Sequence, residues 1–195
     1  ASLRYNKVTQ QFNSDIAKDY DFTIEDEYIY AIENAVAILK NDERIDSSKI
    51  YLIGHSLGAQ IIPVVLNKDQ SLAGGILMAG TTMHILDLIL EQVKRQDENK
   101  YNEYRPYVEY AKSLTEVPNG EEQYFYFGAY TAYYVSYNNI NRNIVKDLNC
   151  RLLIMQGELD LQISIDHFNN YKALLKGNEN VTYKQYPLLN HLFSN

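Results

Sequence analysis

The sequence predicts an α/β fold with a mainly parallel sheet and helices on both faces. Three observations carry that prediction. Short apolar runs alternate with longer stretches of helical periodicity, the pattern of βαβ units. Two of the runs, 74–80 and 151–157, are apolar almost without interruption, as expected of parallel strands covered on both sides. A third, Lys49-Ile50-Tyr51-Leu52-Ile53, leads through Gly54-His55-Ser56-Leu57-Gly58 into a helix-like run at 59–66. At 195 residues, 46% hydrophobic and 22% charged, the chain is expected to form a single domain, 1–195, with a sizeable core.

The elements follow in order. Leu3-Arg4-Tyr5 reads as the end of a strand. Thr23-Ile24-Glu25-Asp26 fits a capping box, with Thr23 as N-cap and acids in the first turn. Tyr28, Ile29, Ile32, Ala35, Val36 and Leu39 then recur at helical spacing, and the helix ends near Asn41. Glu25-Asp26-Glu27 is therefore read as a helix start and not as a metal site. A strand at 49–54, a tight turn, a helix to about Asn67 and a strand at 74–80 come next. Residues 83–140 read as helical, with breaks near Pro106, Pro118-Asn119-Gly120 and Gly128. They are expected to form a helical cap insertion at the carboxyl edge of the sheet, where open α/β sheets bind ligands. That insertion carries Tyr124-Phe125-Tyr126-Phe127 and Tyr133-Tyr134. A strand at 151–157, a helix from Asp166 to about Lys176 and a strand at 181–186 complete the pattern; Gly177-Asn178 and Pro187 are the stops.

Composition narrows the function. A net charge of −7 with no basic stripe gives no footprint for nucleic acid. No apolar run is long enough to span a bilayer, and the first residues do not resemble a signal peptide. Localisation stays open. Cys150 is the single cysteine, so neither a disulfide framework nor a cysteine-built metal site is available, and it reads as a buried inert thiol. No histidine pair has ligand spacing, and no metal or cofactor motif occurs. Tyrosine is abundant, with 18 residues, many of them between 101 and 137, which suits a half-wet surface or pocket wall.

The chemistry lies in Gly54-His55-Ser56-Leu57-Gly58. A G-x-S-x-G between strand and helix is a nucleophile elbow, a turn so tight that glycine is expected at both ends. A serine hydroxyl needs a neighbouring base, and the base needs an acid to hold its tautomer. The chain offers them in the order Ser, Asp, His. Asp160 follows the strand ending at Gly157, and His191 follows the last strand. Both loops leave the carboxyl ends of parallel strands, the edge that carries Ser56. Glu158 is the rival acid, closer to the strand end. Asp166 is better explained as a helix cap. His84 and His167 do not fit the base position and read as surface or core residues. One oxyanion donor is the backbone N–H of Leu57. His55, inside the elbow, is expected to turn its ring from the serine and pack; with Tyr133 and Tyr134 it is a candidate pocket residue.

With those residues in place, the chain resembles the α/β-hydrolase superfamily. Its nearest likeness is to bacterial serine hydrolases of the acylaminoacyl-peptidase-like and dienelactone-hydrolase-like esterase group. Leu3-Arg4-Tyr5-Asn6-Lys7 resembles their "LRYDKR", and Ile53-Gly54-His55-Ser56-Leu57-Gly58-Ala59 their "GHSLGG" elbow. The run from Leu153 to Ile163 resembles "LILQGERDYQV", and Tyr186-Pro187-Leu188-Leu189-Asn190-His191-Leu192-Phe193 resembles "YPGLNHLF". The resemblance implies an α/β-hydrolase fold with Ser56 as nucleophile, Asp160 as acid and His191 as base. It also implies a serine esterase, acting on a small-molecule ester or acyl substrate through an acyl-enzyme, with amides as a lesser option and no cofactor. A non-catalytic binding protein, an inactive fragment and an acyltransferase are the alternatives. Ala59 departs from the last glycine of "GHSLGG". The family has further strands and an oxyanion loop before the strand that ends at Arg4-Tyr5. These N-terminal strands are absent from this chain, so a preceding segment or a partner chain is expected to complete the sheet.

Overall fold

The computed structural model describes residues 1–118 and 127–195. Asn119, Gly120, Tyr124, Phe125 and Tyr126, named above as a break and as part of the aromatic insertion, lie outside the described residues. The chain divides into two compact units, one of Val36–Ile85 with Asn141–Asn195, the other of Ala1–Ala35 with Leu86–Ile140.

The first unit is built on a four-stranded parallel sheet. Its strands are β1 (Tyr51–His55), β2 (Gly74–Met78), β3 (Arg151–Gly157) and β4 (Val181–Tyr186), laid side by side in that order. Register aligns Ile53 with Ile76, Leu153 and Thr182, and the next row aligns Gly54 with Leu77, Ile154 and Tyr183. Because side chains alternate between faces, these two rows look opposite ways. The face with Leu77, Leu152 and Ile154 packs on α4 (Leu57–Lys68), which buries Ala59, Ile61, Ile62, Val65 and Leu66. Each of the isoleucine, valine and leucine side chains among these contributes about 1.5–3 kcal/mol by leaving water. On the same face α8 (Ile165–Leu174) buries Phe168 and Tyr171, and Phe168 meets Tyr183 edge-on. The other face is more open: Tyr51 and Ile53 on β1 are exposed, Ile53 by 66%.

The second unit is helical. It begins with the single turns α1 (Val8–Gln11) and α2 (Asn13–Ile16) and includes α5 (Ile85–Gln96), α6 (Glu98–Ser113) and α7 (Thr131–Asn138). The predicted capping box is present: the Thr23 N–H and hydroxyl donate to Asp26, whose own N–H donates back to Thr23 Oγ1. The chain then runs through a π-helical turn at Glu25–Ile29 into α3 (Tyr30–Lys40), which passes from one unit to the other. The amino-terminal segment is held by polar bonds. Ile24 N–H donates to Ser136 Oγ at 3.0 Å, and Tyr130 OH donates to the Ala17 carbonyl at 2.8 Å.

Three expectations change. Leu3-Arg4-Tyr5 is not a strand, since residues 1–7 form no ladder with β1–β4 and an isolated extended segment has no partner to fix it. Pro106 does not break a helix but lies inside α6. It is exposed, so water can meet the carbonyl that loses its intrahelical donor. The break falls instead at Asp97, whose carboxylate caps α6 by accepting from the N–H groups of Asn99 and Lys100. Cys150 is half-buried where full burial was expected; burial pushes its thiol pKa up.

Candidate active site

Ser56 stands between the last residue of β1 and the first of α4. Its backbone has φ 56° and ψ −121°, a conformation that costs a non-glycine residue about 1–3 kcal/mol. The turn is pinned on both sides: Ser56 N–H donates to the Met78 carbonyl and Ser56 C=O accepts from Ala59 N–H, each at 2.9 Å. Gly54 is required for close approach. A Cβ there would lie 2.6 Å from the Gly58 carbonyl carbon and 2.7 Å from Ile62 Cδ1. Gly58 differs from expectation, because a Cβ there would meet nothing within 4 Å among the described residues. Ala59 is fully buried and leaves little room opposite: a Cβ on Gly80 would come within 2.8 Å of its own. Leu57 opens α4, so its N–H is one of those a helix leaves without an intrahelical acceptor. The positive end of the helix dipole lies there as well.

Asp160 and His191 meet at the same carboxyl edge, on the loops after β3 and β4. His191 Nδ1 lies 2.8 Å from Asp160 Oδ2, and both residues are buried. Asp160 is fully engaged. Its Oδ1 accepts from the N–H groups of Gln162 and Ile163 at 2.8 and 2.9 Å, and its Oδ2 also accepts from Gln156 Nε2 at 3.1 Å. Burial pushes this carboxyl pKa up, but the bonds from His191, Ile163 and Gln162 outweigh it, so the net shift is downward. With a carboxylate acceptor at Nδ1, His191 donates from Nδ1 and leaves Nε2 as its basic atom. Glu158, the rival acid, is exposed and takes no part in this pair.

The loops after β3 and β4 are in direct contact. Leu159 N–H donates to the Leu189 carbonyl at 3.0 Å. Gly157 makes that contact possible: a Cβ there would lie 2.8 Å from the Leu189 carbonyl carbon and 2.7 Å from the Asn190 carbonyl oxygen. Asn190 shapes the loop after β4 from within, its Oδ1 accepting from Leu192 N–H at 2.9 Å and Ser194 N–H at 3.3 Å. Gln156, Gly157 and Asn190 were given no role from sequence. Only their adjacency to Asp160 and His191 along the chain could have drawn attention to them.

The remaining histidines and tyrosines separate clearly. His55 is exposed and turned toward the loop after β4, with Nε2 2.7 Å from the His191 carbonyl oxygen. His167 and His84 are buried, and His167 Nδ1 lies 2.8 Å from Thr81 Oγ1. Tyr133 and Tyr134 belong to the helical unit and are buried there, with Tyr133 OH donating to Glu27 Oε2 at 2.5 Å. Among the described residues no group of three His, Cys, Asp or Glu side chains could hold a metal. No helix among them is long and apolar enough to cross a membrane.

Comparison with known proteins gives a consistent picture. The profile of the prolyl oligopeptidase family matches residues 9–195. Esterase EstD of Thermotoga maritima is 30% identical over 197 residues, covering 97% of this chain. The chain spans 45% of the length of that curated relative. Among solved structures, Est1E of Butyrivibrio proteoclasticus superposes with a TM-score of 0.59 at 15% identity, over 90% of this chain and 65% of that one. A Pyrococcus furiosus esterase gives 0.53 at 17% identity, over 87% and 56%. Acetyl xylan esterase 1 of a Thermoanaerobacterium species gives 0.53 at 13% identity, over 98% and 54%. These superpositions identify the fold as that of the α/β-hydrolases.

Proposed function

The chain belongs to the prolyl oligopeptidase family, and from that premise we propose that it supplies the nucleophile, acid and base of a serine esterase. The observation that carries the proposal is the bond between His191 Nδ1 and Asp160 Oδ2, on the sheet edge that also carries Ser56 in its strained turn. His191 Nε2 takes the proton from Ser56 Oγ as that oxygen attacks the ester carbonyl carbon. Negative charge moves to the carbonyl oxygen, where the Leu57 N–H at the start of α4 donates to it. The C–O bond to the alcohol then breaks, and His191 returns its proton to the leaving oxygen. Water repeats the sequence on the acyl-Ser56 ester, releasing the acid and free Ser56. Asp160 stays ionised throughout and holds the imidazole in the tautomer that makes Nε2 the base. Kinship with a protein named an esterase favours a carboxylic ester over an amide.

The test uses the natural full-length protein and short acyl esters. Ser56→Ala should reduce turnover by about 10⁴–10⁶-fold, and a fluorophosphonate probe should label Ser56 alone. Near-normal turnover in the variant, or labelling elsewhere, would reject the proposal.

A further inference from the structure

His55 has no part in the chemistry above, yet it joins the elbow to the base loop. Its Nε2 lies 2.7 Å from the backbone carbonyl of His191. A carbonyl oxygen can only accept, so Nε2 carries the proton and His55 donates. The two imidazole rings lie 4.7 Å apart, tilted by 51°, and the Phe193 ring stands edge-on to His55 at 6.3 Å. Phe193 itself has φ 55°, in the left-handed region that a non-glycine residue seldom adopts.

We propose that His55 is a positioning residue for His191, tying the backbone of the base to the strand that presents the nucleophile. His55 and Ser56 are consecutive in the chain. A bond from His55 to the His191 carbonyl therefore sets the spacing of base and nucleophile through covalent geometry. Asp160 fixes a different quantity, the rotation and tautomer of the ring. The base is held at two points, its side chain by the acid loop and its main chain by the elbow. Because His55 is exposed, losing its side chain creates no cavity and little instability. Misplacement of a reacting group by about 1 Å, in contrast, costs on the order of 10²-fold in rate.

This inference rests on Ser56 and His191 being nucleophile and base, and the experiment separates the two. Three variants of the full-length protein are compared with wild type: His55→Phe, His55→Gln and His55→Asn. Phe keeps a ring against His191 and removes the donor. Gln places its amide nitrogen as many bonds from Cα as His55 Nε2, whereas Asn is one bond short. His55→Phe should lower kcat about 10–100-fold with KM changed less than about 3-fold, and should slow fluorophosphonate labelling in step. His55→Gln should keep kcat within about 5-fold of wild type, and His55→Asn should follow His55→Phe. Thermal midpoints should be nearly equal across the set. Wild-type kcat in His55→Phe overturns the inference while leaving the esterase reading intact. So does a His55→Gln as slow as His55→Phe at an unchanged midpoint. Failure of the probe to label Ser56 in wild type overturns the esterase reading, and this inference with it.

Discussion

Among the described residues, each unit of the molecule buries one carboxylate, and the two are held in different ways. Asp160, in the sheet unit, accepts two backbone N–H groups, one amide and the imidazole of His191. Glu27, in the helical unit, accepts from Lys7 at 2.6 Å, Thr9 at 3.2 Å and Tyr133 at 2.5 Å. The partners around Glu27 are a lysine cation, a hydroxyl and a phenol, which together hold the amino-terminal turns to α7. Among the partners of Asp160 is a ring with a second nitrogen left over, able to take up and return a proton. The lesson is that burial and full satisfaction do not mark a catalytic acid. In the function proposed, what distinguishes Asp160 is a partner imidazole that can carry a proton to and from Ser56.

Substitutions at the two carboxylates should sharpen that contrast most. Asp160→Asn should lower kcat by about 10³–10⁴-fold, through the loss of the correct His191 tautomer, while the protein stays folded. Glu27→Gln should leave kcat within a few-fold by comparison, measured on the same ester. Equal losses of turnover would break the contrast. Next in size is Gly157→Ala. The added methyl would push the Leu189 and Asn190 carbonyls outward and carry His191 away from Asp160. A fall in kcat of about 10–100-fold is expected, with about 1–3 kcal/mol of overpacking visible in denaturant unfolding.

Smaller effects belong to the helical unit. Glu27→Ala should destabilise by about 1–3 kcal/mol, because it strands the buried Tyr133 hydroxyl. Tyr133→Phe in the same background should recover part of that loss, which a double-mutant cycle on unfolding free energies would measure. The smallest effect is the dependence on pH. The net Asp160 shift is downward, so its contribution to stability is present above the unfolded value of about 3.9 and is lost as pH falls through the folded value. Burial alone would lower the Lys7 pKa, but Glu27 and Tyr28 outweigh it and the net shift is upward. The Lys7 contribution is therefore present below the unfolded value of about 10.4 and is lost as pH rises through the folded value. The stability difference between wild type and Asp160→Asn should shrink in acid, and that between wild type and Lys7→Met in alkali. Both differences shrinking at the same end would contradict these assignments.

The sequence by itself determined the alternation of strands and helices, the tight turn at Ser56 between strand and helix, the capping box at Thr23 and the place of Asp160 and His191 on loops at strand ends. Each is written in a short stretch: a period of apolar residues, a turn that needs glycine at Gly54, a cap four residues long, a loop at a strand end. It also favoured Asp160 over Glu158 as the acid, and in the structure it is Asp160 that lies beside His191 Nδ1. Only the tertiary structure decided the rest. Gly157 is an ordinary strand end by its neighbours in the chain, and in the fold the loop after β4 crosses it. Glu27 was one of three acids in a helix start until Lys7 and Tyr133, far apart in the chain, closed on it. His55 reads from the sequence as a packing and candidate pocket residue, and in the fold its ring lies on the carbonyl of His191. The physical reason is common to all three. Hydrogen bonds and steric clashes act within a few ångströms, and which groups come that close is set by how distant segments pack.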